Sequence, residues 1–334
     1  MEPLNLGLDL GMGSIKIYAN GAPYLVPSQI AVNGASRVVA MTGLQTARPP
    51  VRVALNTAQS YYIGSGAHAW GRPLEALDYA RLAGAPEFNA LVLGALTRFV
   101  VGDNNMPLAE NLNAPLRVTI GLPIEMARGD AADANVSAIK AALRGEHHLR
   151  IDDVAHVLRI ADVRAASQAS GALYDFLRDE DGAVHQTARP YLKSEIGVVS
   201  VGFNTVELMV IQDLQVVQRF TAGATVGVRR LLELVNGEKL YSLAELDERL
   251  RAHRLDVSAA LPVWEREVSG FIESVWGASW RRFGVILPVG GGAVLLENAL
   301  AKKFAGKAIP CTDPVFSIAR GLYKLGLTQA RRGK

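Results

Sequence analysis

The sequence predicts an α/β protein built from two similar domains that face each other. Strand-like and helix-like patterns alternate along 334 residues, a length sufficient for two domains. The chain also contains an internal repeat, in which LGLDLGMGSIKIY aligns with GVVSVGFNTVELM. The alignment pairs Asp9 with Ser200, Gly11 with Gly202, and Gly13 with Asn204. Each segment predicts a strand, a tight turn and a second strand, and each introduces about half of the chain.

The first half is predicted to begin with strands, because its apolar residues alternate with other residues. These strands are expected at Leu4–Asp9, Ile15–Asn20, Leu25–Val32 and Val38–Thr42. The pattern then predicts, in order, a helix over 84–102, a buried strand over 115–123, a helix over 131–145, a strand over 156–167 and a helix over 167–177. Pro86 suits the start of the first helix, and Gly145 suits the end of the second.

The second half is predicted to open with a mixed-charge surface loop over 178–195. A meander of strands is predicted over 196–223. The helical spacing of apolar residues then predicts helices over 227–236, 243–253 and 261–283. The remaining pattern predicts a strand, a glycine turn and a helix over 284–306, and a terminal helix over 313–332.

The composition is that of an ordinary globular protein, with 49% hydrophobic and 20% charged residues. The formal charge of +3 lies largely in the tail ARRGK, so no direct nucleic-acid contact is expected. The single cysteine, Cys311, excludes an internal disulfide and a thiolate zinc site, and is expected to be a small buried side chain. We see no secretory signal and no apolar stretch long enough to span a bilayer. The sequence therefore predicts a soluble, cytoplasmic protein without membrane contact.

The two hairpins carry residues suited to holding a polyphosphate. Small residues in a turn leave backbone N–H groups open to close approach by an anion, and two facing hairpins would grip it from both sides. Lys16 supplies a point charge for the phosphates. Asp9 can hold a hydrated magnesium ion, which prefers oxygen ligands and keeps its waters. The alternative is a pair of ordinary hairpins with a surface Asp and Lys.

A third glycine cluster favours the nucleotide interpretation. VILPVGGGAVLL predicts a buried strand entering Gly290, Gly291 and Gly292, followed by a helix. Consecutive glycines allow a flat base or ribose to lie against the backbone. A turn from strand to helix at this point suits a nucleoside pocket.

These motifs resemble those of the actin, Hsp70 and sugar-kinase superfamily. DLGMGSIK is similar to its first phosphate loop, matching D-x-G-x-G-x-x-K in full. VSVGFNTVEL resembles the second phosphate loop, and LPVGGGAVLLENAL resembles the adenosine loop. Within the superfamily, VTIGLP, VGFNT and DPVFSIARGLYKLG are similar to the ParM-like actins of bacteria and archaea.

The resemblance implies a two-lobed, actin-like fold of the duplicated ribonuclease H type, with ATP or ADP and Mg²⁺ in the cleft between the domains. It implies a first domain of residues 1–165 plus 311–334 and a second domain of residues 166–310. Members of this group polymerise into filaments, hydrolyse ATP in the filament, and often move plasmids through a DNA-bound adaptor protein. The implied partners are therefore further copies of the chain and such an adaptor.

The resemblance also implies site residues. The implied nucleotide-binding residues are Gly11, Met12, Gly13, Ser14, Lys16, Gly202, Phe203, Asn204, Thr205, Lys239, Gly290, Gly291, Gly292 and Ala293. Asp9 would hold Mg²⁺ through water, and Gln168 falls at the position that orients the attacking water. An amide orients water but is a poor base, so Gln168 implies slow hydrolysis.

Ser200 departs from the family pattern, which has aspartate opposite Asp9 to order the water shell of magnesium. Serine keeps one oxygen but lacks the charge, so we expect weak magnesium ordering or slow turnover with nucleotide binding retained. Glu195 and Glu207 lie nearby in sequence, but strand parity is expected to prevent either from replacing a carboxylate at position 200.

Other polar and aromatic clusters are expected to be structural. GEHHLRI carries His147 and His148 without metal-ligand spacing and is expected to form a solvated turn. RDEDG is expected to be a solvated loop. The near-helical spacing of Trp264, Trp276 and Trp280 indicates packing.

Two other functions stay open on this fold. A nucleotide-gated scaffold would bind ATP and barely hydrolyse it, which Ser200 would permit. A sugar or small-metabolite kinase would need a carboxylate to accept the proton of a substrate hydroxyl, and no N-x-D-like element is visible in the first domain. A chaperone is disfavoured because no peptide-binding domain follows, and a membrane-tethered filament is disfavoured because no basic amphipathic helix precedes the first strand.

Overall fold

The computed structural model describes residues 3–32, 48–55, 59–74, 85–102, 114–127 and 132–332. The predicted strand Val38–Thr42 lies outside these ranges. Within them, no helix has the length and apolar character needed to cross a membrane.

The first lobe contains a ten-stranded sheet in the described part of the chain. Its strands are β1 (Leu4–Leu10), β2 (Ser14–Ala19), β3 (Ala22–Pro27), β4 (Ile30–Val32), β5 (Val51–Ala54), β6 (Ser60–Ile63), β7 (Arg72–Pro73), β8 (Leu116–Leu122), β9 (Gly145–Ile151) and β10 (Val154–Ser167). They lie in the order β3-β2-β1-β8-β10-β9-β5-β6-β4-β7. The helices of this half are α1 (Pro86–Val101) and α2 (Ala132–Leu143). Strands β1, β8 and β10 run parallel, so their carboxyl ends share one edge.

The second lobe contains a five-stranded sheet formed by β11 (Ile196–Val201), β12 (Val206–Gln212), β13 (Gln215–Val216), β14 (Ala222–Ala224) and β15 (Val285–Val289). The order is β13-β12-β11-β15, and β14 pairs with β12. Its helices are α4 (Val228–Val235), α5 (Leu243–Arg251), α6 (Leu261–Trp276), α7 (Gly291–Leu295) and α8 (Glu297–Lys303). As expected, the aromatic cluster of α6 is a packing element: Trp264 and Trp276 are buried, and their indole N–H groups donate to backbone carbonyls of Val226 and Phe220.

Two helices join the lobes, namely α3 (Gln168–Leu177) and α9 (Ser317–Arg332). Leu173 of α3 and Leu322 of α9 share a core with buried side chains of β11 and β15. Gly7 of β1 permits α9 to approach the first sheet, because a Cβ at this residue would overlap the carbonyl oxygen of Ala319. The domain limits at residues 165 and 311 stay a prediction.

Four local interpretations of the sequence need correction or refinement. The expected strand Leu25–Val32 is divided at Ser28, which donates its hydroxyl to the carbonyl of Gly11. GEHHLRI forms strand β9 and not a turn, because the chain reverses later, at Asp152 and Asp153, which both have positive φ. The expected loop 178–195 contains a short 3-10 helix with Ala188 buried. Cys311 is half-buried, and burial raises the pKa of its thiol.

Candidate functional site

Two hairpins of the same length meet at the centre of the molecule. In the first, β1 and β2 place Asp9 directly opposite Lys16. In the second, β11 and β12 place Ser200 directly opposite Glu207. The turns abut, because a Cβ on Gly13 would lie 2.7 Å from Cβ of Phe203. The internal repeat of the sequence is therefore a structural repeat, and its two copies face each other.

The hairpins line a cavity of about 270 Å³ together with the glycine turn between β15 and α7. It collects most of the residues that the sequence singled out: Asp9, Gly11, Met12, Gly13, Ser14, Lys16, Gln168, Ser200, Gly202, Phe203, Asn204, Thr205, Gly290, Gly291 and Gly292. Two do not line it. Ala293 is buried behind the glycine turn, and Lys239 is exposed in the loop between α4 and α5. Segments nearly 300 residues apart thus converge on one space.

Asp9 is the centre of a buried polar network at one end of the cavity. Its side chain is 2% exposed, and both of its carboxylate oxygens accept hydrogen bonds. Lys16 Nζ donates to Oδ2 at 2.8 Å, and Gln168 Nε2 donates to Oδ1 at 2.9 Å. Because the amide nitrogen of Gln168 is committed to Asp9, its Oε1 remains as the acceptor that can orient a water.

The position of Gln168 is set by the start of α3. Ser167 is the N-cap of this helix and accepts a hydrogen bond from the backbone N–H of Ser170 at 3.1 Å. Strand β10 ends at Ser167, so Gln168 projects from the edge where the carboxyl ends of β1 and β8 also lie. A strand-to-helix junction therefore carries the amide into the polar end of the cavity.

The cavity also has an apolar part of its lining, formed by Val228, Leu250, Val294, Leu295, Val315 and Ile318. Val294 is 49% exposed, although the two residues before it, Gly292 and Ala293, are buried. A flat apolar surface beside glycine backbone can hold an aromatic base, while the polar end can hold an anionic group.

Helix α5 contributes an ion pair that the sequence interpretation missed. Arg251 donates from Nε to Oδ2 of Asp247 at 2.8 Å and from Nη2 across the cavity to the carbonyl of Gly13 at 3.1 Å. Burial raises the pKa of Asp247, and Arg251 opposes that shift. Asp247 and Arg251 are four residues apart, a spacing that predicts an ion pair within the helix. It does not predict that the two side chains face the cavity.

The charges that line the cavity cancel in pairs. Asp9 lies against Lys16, and Asp247 lies against Arg251. Within the described residues, no group of three or more His, Cys, Asp or Glu side chains could hold a metal ion. The carboxylate of Asp9 and the hydroxyl of Ser200 nevertheless supply oxygen atoms to one cavity. This donor set fits a magnesium ion that keeps its waters and takes further ligands from phosphates.

The parity argument about Glu207 was wrong. Directly opposed residues of an antiparallel pair project to the same face, and Ser200 opposes Glu207. Glu207 is 1% exposed and accepts a hydrogen bond at Oε1 from the backbone N–H of Ile124 at 3.0 Å. Burial raises the pKa of Glu207 well above the ordinary carboxyl value, and the nearby charge of Glu125 raises it further. Glu195, in contrast, is engaged by Arg282.

Comparisons with known proteins agree with this geometry. Residues 7–171 match the family described as actin like proteins N terminal domain. No curated protein sequence matches the chain.

Three solved structures show the likeness over the whole chain. The actin-like protein Alp7A superposes with a TM-score of 0.76 at 14% identity, covering 100% of this chain and 98% of its own. The archaeal actin homolog Ta0583, in complex with ADP, gives 0.71 at 18% identity with 98% and 99% covered. A ParM from a 15-stranded filament of Clostridium botulinum gives 0.68 at 17% identity with 98% and 100% covered. These likenesses confirm the predicted fold class.

Proposed function

Since this chain is an actin-like protein with the fold of ParM, we propose that it binds ATP or ADP with Mg²⁺ between its two hairpins and hydrolyses ATP slowly as it assembles into filaments. One observation carries the proposal: both hairpins, the glycine turn and Gln168 line a single cavity. The ADP complex of Ta0583 and the filament of a ParM support it by likeness of fold.

Each part of the cavity has a role in this proposal. The turns Gly11–Ser14 and Phe203–Thr205 offer backbone N–H groups to the phosphates, and Lys16 adds a positive charge. Gly202 closes the second turn, because its N–H donates to the carbonyl of Thr205 at 2.8 Å. The glycines at 290–292 accept the nucleoside, with the base against apolar side chains of the cavity. Arg251, which the sequence interpretation missed, stands at the same cavity and is added to this set. Lys239 and Ala293 stay predictions from the family resemblance.

Magnesium, when bound, would neutralise charge on the phosphates and fix their geometry. Asp9 would hold it through water, and Ser200 would hold it weakly. The chain's own contribution is to fix the carboxylate of Asp9 between Lys16 and Gln168, so that the water shell of the ion would meet an oriented carboxylate.

Gln168 is assigned the positioning of the attacking water. Replacing Gln168 with alanine is expected to slow phosphate release by about 10- to 100-fold while ATP affinity changes by less than about threefold, because the amide acts in the chemical step. Phosphate release and ATP binding measured on the same preparation separate the two effects. Equal losses in both would show that Gln168 serves binding and not hydrolysis.

In this proposal, hydrolysis is slow because Ser200 replaces a carboxylate at the magnesium site. Replacing Ser200 with aspartate restores the second carboxylate opposite Asp9 and is expected to raise magnesium-dependent phosphate release by about tenfold. The concentration of Mg²⁺ needed for half of the maximal rate is expected to fall as well. Phosphate release that remains unchanged across a magnesium titration would contradict this role.

The filament proposal is tested by sedimentation and light scattering with ATP, with ADP and without nucleotide. Nucleotide-dependent pelleting with phosphate release is the expected result. Pelleting without release would favour the nucleotide-gated scaffold, and monomers that phosphorylate a sugar would favour the kinase. We further propose a cytoplasmic role in plasmid segregation or another cytoskeletal task, with a DNA-binding adaptor protein as partner and the domain division given above.

A further inference from the structure

Three neighbouring strands of the second lobe form a row of residues that pair directly across the sheet. Ser200 of β11 pairs with Glu207 of β12, and Glu207 pairs with Gly223 of β14. Opposed residues share a face, so this row starts at the cavity, which Ser200 lines, and ends at Gly223. Because glycine has no side chain, the face of the sheet has a notch beside Glu207.

A side chain from the first lobe fills this notch. Glu125 lies in a 3-10 helix, Ile124–Ala127, directly after β8. A Cβ placed on Gly223 would overlap Oε1 of Glu125 and lie 2.8 Å from its Cδ. The carboxylate therefore occupies the volume that any larger residue at position 223 would require.

The same short helix makes a second contact with the row. The backbone N–H of Ile124 donates to Oε1 of Glu207, and Glu207 Oε2 receives no hydrogen bond from the described residues. Two adjacent residues of the first lobe thus contact the second lobe: Ile124 through a hydrogen bond to Glu207, and Glu125 through close packing against Gly223. Both belong to the segment after β8, whose Gly121 pairs with Asp9.

We propose that Glu125 is a positioning residue, which sets the spacing between the two phosphate hairpins by seating its carboxylate in the notch over Gly223 beside Glu207. The chain of contacts runs from Asp9 through the end of β8 to Glu125, and from Gly223 through Glu207 to Ser200. The inference deepens the proposed function and rests on it for its effect on hydrolysis. The contact itself can be tested without nucleotide.

The test is a double-mutant cycle with Glu125→Ala and Gly223→Ala. Glu125 as a whole is exposed, so its side chain can turn away from an added methyl group. Gly223→Ala is therefore expected to slow phosphate release about threefold to tenfold, as Glu125→Ala does, because the methyl group displaces the carboxylate from its place beside Glu207. In the Glu125→Ala background the same methyl group meets no carboxylate and is expected to cost less than about twofold. Gly270→Ala is the matched control, since a Cβ there has no neighbour within 4 Å, and it is expected to leave release unchanged.

A conservative variant separates positioning from general damage. Glu125→Gln keeps the size of the side chain and can donate an N–H to Glu207 Oε2, so it is expected to retain wild-type phosphate release, whereas Glu125→Ala slows it about threefold to tenfold. Wild-type release in Glu125→Ala, or an equal cost of Gly223→Ala in both backgrounds, would overturn the proposal.

Urea unfolding of the four proteins of the cycle keeps this inference separate from the proposed function. If the wild-type chain bound no nucleotide, the proposed function would fail, yet non-additive unfolding midpoints would still establish the contact between Glu125 and Gly223. Additive midpoints would refute the contact whatever the chain binds.

Discussion

Replacing Asp9 with alanine is expected to lower the free energy of unfolding by about 3–5 kcal/mol and to reduce ATP-dependent phosphate release to background. The substitution leaves the side chain of Lys16, which is 10% exposed, without its partner carboxylate. It also removes the acceptor that holds the amide of Gln168. Urea unfolding and phosphate release measure the two effects.

A conservative variant and a surface control accompany this prediction. Asp9→Asn keeps the volume of the side chain, so its fold is expected to survive while hydrolysis is lost, because the carboxylate charge is what orients the magnesium waters. Asp181→Ala removes an exposed carboxylate and is expected to change neither property. Hydrolysis at the wild-type rate in Asp9→Asn would contradict the assigned role.

Replacing Asp175 with alanine is expected to destabilise the junction of α3 and α9 by about 3–5 kcal/mol. Arg320 donates to both carboxylate oxygens at 2.7 Å, and Lys324 Nζ donates to Oδ1 at 3.0 Å. The side chain of Asp175 is 6% exposed, so the substitution leaves two poorly hydrated cations side by side. The denaturation midpoint in urea measures the loss.

An exposed ion pair provides the comparison. Glu233→Ala breaks the pair with Arg229 on the surface of α4, where both side chains are more than 40% exposed, and is expected to cost about 0.5 kcal/mol or less. Equal losses in Asp175→Ala and Glu233→Ala would show that burial of the first pair has no energetic consequence.

Local chemistry explains why the two hairpins could be predicted from sequence. Gly11 and Gly13 require a turn, the apolar residues around them require strands, and the second copy at Ser200 repeats the pattern. The glycine turn at 290–292 was visible for the same reason. Each of these patterns lies within one short segment of the chain, so it can be recognised without knowledge of tertiary contacts.

The missed features depend on contacts between distant segments. Arg251 contacts Gly13, and Glu125 contacts Gly223. In both pairs, the sequence around one residue gives no indication that the other is its neighbour. The register of β11 and β12 decides that Glu207 shares a face with Ser200, and parity counted along one strand gave the wrong answer. GEHHLRI was mistaken for a turn because charged and histidine side chains alternate on a strand exposed on one face.

In the proposed function, both hairpins bind the phosphates of one nucleotide. Hydrogen exchange measured by mass spectrometry, with and without saturating ATP and Mg²⁺, tests it at the backbone amides concerned. We expect slower exchange at Gly11–Ser14 and at Phe203–Thr205 together, whereas Gly202, whose N–H already donates to the carbonyl of Thr205, is expected to be protected with or without ATP. Saturating ATP that protects only one of these turns, or neither, would contradict a cavity in which two facing loops hold a single ligand.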